Sequence, residues 1–85
     1  MSLEEHLKEL EICRETHNQQ GVANLTFKIG DIYFKKGKWD EAIAYMREAE
    51  AICRKLRNEE GRARAAIGLG DVFRAGGNRA EARDY

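Results

Sequence analysis

Gly30-Asp31-Ile32-Tyr33 returns forty residues later as Gly70-Asp71-Val72-Phe73, and this echo decides the fold. Around it Gly37 returns as Gly77, Glu41-Ala42 as Glu81-Ala82 and Tyr45 as Tyr85. Read backwards, Ile52-Cys53-Arg54 falls on Ile12-Cys13-Arg14, Asn58 on Asn18, and Gly61-Arg62-Ala63 on Gly21-Val22-Ala23. A fixed period of this length marks a stacked-repeat architecture, in which each unit buries its apolar face against neighbours. The repeat therefore predicts a scaffold before it predicts any chemistry.

The pattern inside each period is helical. Ala42, Met46, Ala49, Cys53 and Leu56 recur at the spacing of one helix stripe. Ser2-x-x-Glu5 has capping-box spacing and starts a first helix that runs to about His17. The polar stretch Asn18-Gln19-Gln20-Gly21 is expected to break it. A second helix spans about Val22 to Lys36, closed by Gly37 in the position favoured for a left-handed cap. A third runs from about Trp39 to Arg57, and Asn58-Glu59-Glu60-Gly61 repeats the Asn18 junction. A fourth covers about Arg62 to Ala75, stopped by Gly76-Gly77, and Asn78-x-x-Glu81 opens a fifth that is cut off at Tyr85. No strand alternation occurs. The expected class is all-α, built from stacked antiparallel helical hairpins.

Residues 1–20 are then a preceding helix B or cap, 21–60 the first full repeat and 61–85 a second repeat truncated in its helix B, all in one domain. Both ends are incomplete, and repeat arrays generally need about three units plus caps. The expectation is a fragment of a longer array, or a piece that completes itself as a homo-oligomer.

Bulk properties exclude several functions. Fifteen basic residues balance fifteen acidic ones, so diffuse attraction to nucleic acid or an anionic membrane is not expected. No apolar run approaches the ~18 residues of a membrane span. Met1-Ser2-Leu3-Glu4-Glu5 lacks the basic and apolar regions of a signal peptide, so a cytoplasmic location is expected. Cys13 and Cys53 sit on helices one repeat apart. Stacked helix axes lie ~8–10 Å apart, whereas a disulfide needs Cα atoms within ~7 Å, so both are read as reduced core residues.

These residues resemble the tetratricopeptide repeat. Its pattern of a small residue, Leu-Gly, an aromatic, a closing Gly and Glu-Ala reads here as Ala23, Ile29-Gly30, Tyr33, Gly37 and Glu41-Ala42, with Trp39, Tyr45 and Ala49. The second copy reads Ala63, Leu69-Gly70, Phe73, Gly77, Glu81-Ala82 and Tyr85. Gly30 and Ala42, and likewise Gly70 and Ala82, would lack bulk where helices A and B of one hairpin meet. Tyr33 and Phe73 would fill the space between hairpins. The usual period is 34 residues, and the proline that usually follows helix B is replaced by Arg54. Both departures are similar to the long-repeat branch of kinesin light chain, rapsyn and the spindle-orientation adaptors. His6 and Glu9 stand where Met46 and Ala49 stand a repeat later, so the first helix keeps another stripe, Leu3, Leu7 and Leu10.

The resemblance implies a protein-interaction scaffold, not an enzyme, that holds a peptide or partner helix on the concave face lined by helix A. The groove positions it implies are Asn24, Phe27, Lys28, Asp31, Phe34 and Lys35, then Arg64, Ile67, Asp71 and Arg74, with Gly68 and Ala75 beside them. The cations among them would form a basic lining, and Phe27, Phe34 and Ile67 apolar anchors. Asp31 and Asp71 replace the family's usual Asn; a carboxylate accepts hydrogen bonds without donating them, which favours a ligand bringing N–H or basic groups. The competing reading is that these charges form i,i+4 pairs on a solvated face, such as Asp31–Lys35. The alternative function is self-assembly into a helix-swapped dimer or larger oligomer through the unfinished ends.

No cofactor, metal or catalytic residue is expected. Cys13 and His17 share a helix face but are two ligands short of a structural zinc site. Gly68-x-Gly70 lies within a helical pattern and is not a phosphate loop. The basic run Arg54-Lys55-Leu56-Arg57 is interrupted by Glu59-Glu60 and lacks the stacking aromatics of a nucleic-acid surface.

Overall fold

The computed structural model describes the backbone of residues 3–84 and the side chains of residues 3–75. Four helices follow one another: α1 Leu3–Glu15, α2 Gln19–Lys35, α3 Trp39–Lys55 and α4 Glu59–Asp84. No strand occurs among the described residues. Each helix packs on the next in sequence, while α2 and α4 approach only marginally. The all-α, hairpin-stacking expectation holds.

The three turns share one design. Each is three residues long, and its middle residue takes the left-handed conformation: His17 and Arg57 at φ 57°, Gly37 at φ 76°. The middle N–H donates to the carbonyl three residues back, and the following N–H donates to the carbonyl five back. At the first turn these bonds are His17 to Arg14, 3.3 Å, and Asn18 to Cys13, 2.8 Å. At the second they are Gly37 to Phe34, 3.0 Å, and Lys38 to Tyr33, 2.9 Å. The third repeats the first, with Arg57 to Arg54 at 3.1 Å and Asn58 to Cys53 at 2.8 Å.

Asn18 and Asn58 then act a second time. Each side-chain oxygen accepts from the N–H of Gly21 or Gly61, 3.0 Å, capping the next helix. The helices therefore start at Gln19 and Glu59, earlier than expected, and Gly21 and Gly61 lie in their first turns instead of breaking the chain. Their lack of a side chain has a different cause. A Cβ on Gly21 would sit 2.8 Å from Cys13 Sγ and 2.7 Å from the Asn18 amide; one on Gly61 would sit 2.7 Å from Cys53 Sγ. These glycines admit the capping amide and the cysteine of the preceding helix.

Two apolar clusters hold the stack. Leu10 of α1 meets Val22, Leu25 and Ile29 of α2, with Leu3, Leu7, Cys13, Tyr33, Tyr45 and Ile52 around them. Ala42 and Met46 of α3 meet Leu69 and Val72 of α4, flanked by Tyr33, Phe34, Trp39 and Ile43. Complete burial of Ile29, Met46 and Val72 stabilises the fold by about 1.5–3 kcal/mol each. On α3 the stripe Ala42, Met46, Ala49 and Cys53 is buried as expected, but Leu56 is exposed, because it lies past the helix end in the turn. On α1 His6 is buried beside the leucine stripe, a position the leucine spacing did not single out.

Gly30 is the close-approach point between α2 and α3: a Cβ there would meet Met46 Cγ at 2.7 Å and the Ala42 carbonyl at 3.3 Å. Gly70, its repeat equivalent, has no atom within 4 Å of the same construction. The reason is the fourth helix. It does not stop at Gly76-Gly77 but runs on to Asp84, and among the described residues no fifth helix folds back across Gly70. A glycine pair allows a turn but does not force one. Continuing the helix keeps its backbone bonded at about 1 kcal/mol per glycine. Phe73, expected to be packed like Tyr33, is correspondingly exposed. The expectations for Ser2 and Tyr85, and for the side chain of Ala82, lie outside the described residues.

Candidate functional site

An open, largely apolar depression lies between α2 and α4, above α3. Its volume is about 350 Å³, and it is lined by Phe27, Asp31 and Phe34 from α2, Met46 from α3, and Glu60, Ala63, Arg64, Ile67, Gly68 and Asp71 from α4. Helical spacing explains the α2 contribution: Phe27, Asp31 and Phe34 stand at i, i+4 and i+7 and share one face. Ala63, Ile67 and Asp71, at i, i+4 and i+8, likewise share one face of α4. Met46 closes the floor, since a Cβ on Gly68 would lie 2.8 Å from its sulfur. Phe34 is held from behind by Trp39, with ring centroids 5.7 Å apart.

Six of the ten expected groove residues converge here: Phe27, Asp31, Phe34, Arg64, Ile67 and Asp71. Asn24, Lys28, Lys35 and Arg74 do not line the depression. Asn24 instead accepts from Gln20, 3.2 Å. Lys35 pairs with Asp31 at 3.1 Å along the helix, and Arg74 pairs with Asp71. The wall therefore has three carboxylates, from Asp31, Glu60 and Asp71, against one guanidinium, Arg64, which lies 3.8 Å from Glu60. Of the basic lining implied by the resemblance only Arg64 lines the depression, and the charge there is mainly acidic, because Asp31 and Asp71 line it while Lys28, Lys35 and Arg74 do not. Exposed intrahelical pairs of this kind contribute only about 0.3–0.5 kcal/mol each, so a ligand can displace them readily.

Helix-A register did not point to Met46, Glu60 and Ala63. Met46 belongs to helix B, and Glu60 lies in the Asn58–Gly61 stretch that reads as a junction. The available signal was the Met46–Gly68 pairing of the longest side chain on the α3 stripe with a residue lacking one.

A second depression of about 330 Å³ lies among Cys13, Arg14, His17, Gln19, Val22, Ile52 and Lys55. Arg14 is committed to Glu48 on α3 through contacts of 2.6 and 2.9 Å, and that hydrogen bond holds its guanidinium still more firmly protonated. Cys13 and Cys53 are both free thiols, as expected. Among the described residues no three His, Cys, Asp or Glu side chains gather as a metal site, and no helix is long and apolar enough to cross a membrane.

The tetratricopeptide repeat family model matches residues 1–55 and again residues 21–85, together spanning the chain. The chain belongs to the tetratricopeptide repeat family. These repeats mediate protein–protein interactions as non-catalytic scaffolds. Comparison with curated proteins and with solved structures found no match.

Proposed function

We propose that the chain is a protein-interaction scaffold whose α2/α4 groove receives a segment of a partner protein. The observation behind this reading is the convergence of Phe27, Phe34 and Ile67 above Met46 in an open depression. Ile67 is 65 % exposed, an apolar side chain with little structural reason to stand in water at a groove wall. A partner segment would bury it and the two phenylalanines, and the rigid helices hold these anchors in place before binding. Ile67→Ser leaves the core untouched and should weaken a groove ligand about tenfold while helical circular dichroism is unchanged. Unchanged affinity for every peptide that binds would sink the groove reading.

The repeat length and the Arg54 substitution support placement in the forty-residue branch similar to kinesin light chain, rapsyn and the spindle-orientation adaptors; the two free thiols are compatible with a cytoplasmic setting. The division into a preceding helix B (1–20), a full repeat (21–60) and a second repeat (61–85) is part of the same reading.

Self-assembly is the second reading, favoured by a comparison within the molecule. Ile52 packs against the α1/α2 cluster, whereas its equivalent Ile12 is 59 % exposed; Tyr33 is packed and its equivalent Phe73 is 45 % exposed. A second copy could cover both. Simple head-to-tail stacking would set Glu9 where Ala49 is buried, and Lys8 where Glu48 meets an arginine, so exchange of terminal helices is the better route. Light scattering across a concentration series decides it: constant monomer mass would eliminate assembly.

A further inference from the structure

We propose that the groove is selective for cationic partner segments: peptides whose apolar anchors are flanked by arginine or lysine. This rests on the groove reading above and adds the chemistry of its occupant.

The argument is the arrangement of charge around the anchors. Asp31 and Asp71 are one repeat apart and both line the groove, one on each wall, with Glu60 on the α4 side. Their side chains are 41 % and 44 % exposed, so their carboxylates can still accept hydrogen bonds from a ligand. The cations that neutralise them lie outside it: Lys35 and Arg74 are 75 % and 79 % exposed and are absent from the lining. Each pair is thus a dipole with its negative end inward. Arg64 is the lone cation in the lining, and Glu60 faces it.

A ligand guanidinium or ammonium placed between the walls meets two carboxylates next to Phe27 and Ile67. Lys35 and Arg74 can swing into water at little cost, because exposed pairs are weak. An arginine suits the site best, since its planar fork can bond a carboxylate with two N–H groups while its stem and face lie on aromatic rings. A glutamate or a chain-terminal carboxylate would instead meet like charge, which suppresses the wrong partner more strongly than it strengthens the right one.

The test uses three fluorescein-labelled twelve-residue peptides with one common Leu/Phe core, flanked by Arg, Gln or Glu, and fluorescence anisotropy on the full chain. The Arg peptide should bind about tenfold tighter than the Gln peptide, and the Glu peptide weakest of the three. Raising salt from about 50 to about 300 mM should narrow the gap. The Asp31→Asn/Asp71→Asn double variant keeps shape and surface position, and circular dichroism verifies its fold. In it the Arg peptide should fall to the affinity of the Gln peptide. If Arg and Gln peptides bind alike, or the Glu peptide binds best, the charge selectivity is overturned while the groove stands. If none of the three binds, or binding ignores Ile67→Ser, the groove reading fails and the selectivity with it.

Discussion

Gly30 and Gly70 hold the same repeat position in opposite surroundings, and this makes them a controlled pair. An alanine at Gly30 must push Met46 and the Ala42 carbonyl; overpacking of this kind loses about 1–3 kcal/mol, more than the 0.5–1 kcal/mol of helix propensity gained. At Gly70 nothing stands in the way, so only the propensity gain remains. Gly30→Ala should lower the urea midpoint and Gly70→Ala raise it. Equal effects in the same direction would mean that α4 is covered in solution. Ionisation supplies a second residue-scale prediction. Burial pushes the Cys53 thiol up, and burial followed by neighbouring Tyr33 pushes the Tyr45 phenol up; the two tyrosine rings stack 5.6 Å apart. The folded chain therefore holds both protons more tightly than the unfolded chain does. That stability is fully present below the ordinary thiol and phenol values of 9.0 and 10.0 and is lost as pH climbs through the raised ones. Urea midpoints measured from about pH 8 to about 11 should decline, and the Tyr45→Phe/Cys53→Ala chain should decline less.

At the scale of elements, the turns are where sequence and structure part company most usefully. The forty-residue echo and the α3 stripe made the helices legible, because periodicity reports which face is buried. The glycines misled at the junctions. Gly37 does take the left-handed turn, but His17 and Arg57 do the same work in the other two turns while Gly21 and Gly61 make room for sulfur and amide. Nothing in residue type marks His17 or Arg57 for positive φ; the hydrogen bonds of the turn impose it. A left-handed L-residue costs about 1–2 kcal/mol, and glycine returns part of this through the freer unfolded chain. His17→Gly and Arg57→Gly should therefore each stabilise by about 0.5–1 kcal/mol, read as a higher thermal midpoint. The fourth helix differs from expectation for a related reason: a glycine pair permits a turn but does not compel one, and α4 runs through Gly76-Gly77 without a break.

For the whole molecule, the groove shows what one chain can and cannot disclose. Phe27, Asp31 and Phe34 were legible as one helix face, and Ile67 and Asp71 as their echo. Whether Lys28, Lys35 and Arg74 face the groove or solvent depends on how α4 is set over α3, which no single-helix period encodes. The same geometry separates the two apolar clusters, one at the α1/α2 end and one between α3 and α4. In a repeat stack each helix is stabilised by its neighbours, so stability can be lost locally. Leu10 is 5 % exposed and belongs to the first cluster; Val72 is fully buried in the second. Truncating Leu10 to alanine should cost about 2–4 kcal/mol, against a total of ~0.05–0.15 kcal/mol per residue. If coupling is nearest-neighbour, amide hydrogen exchange in Leu10→Ala should accelerate through α1 and the facing side of α2 and leave the Glu59–Ala75 stretch of α4 close to its original rate. Val72→Ala should do the reverse, sparing α1. Uniform acceleration in both variants would show instead that the four helices open as one cooperative unit, held together by the Tyr33 contacts that bridge the two clusters.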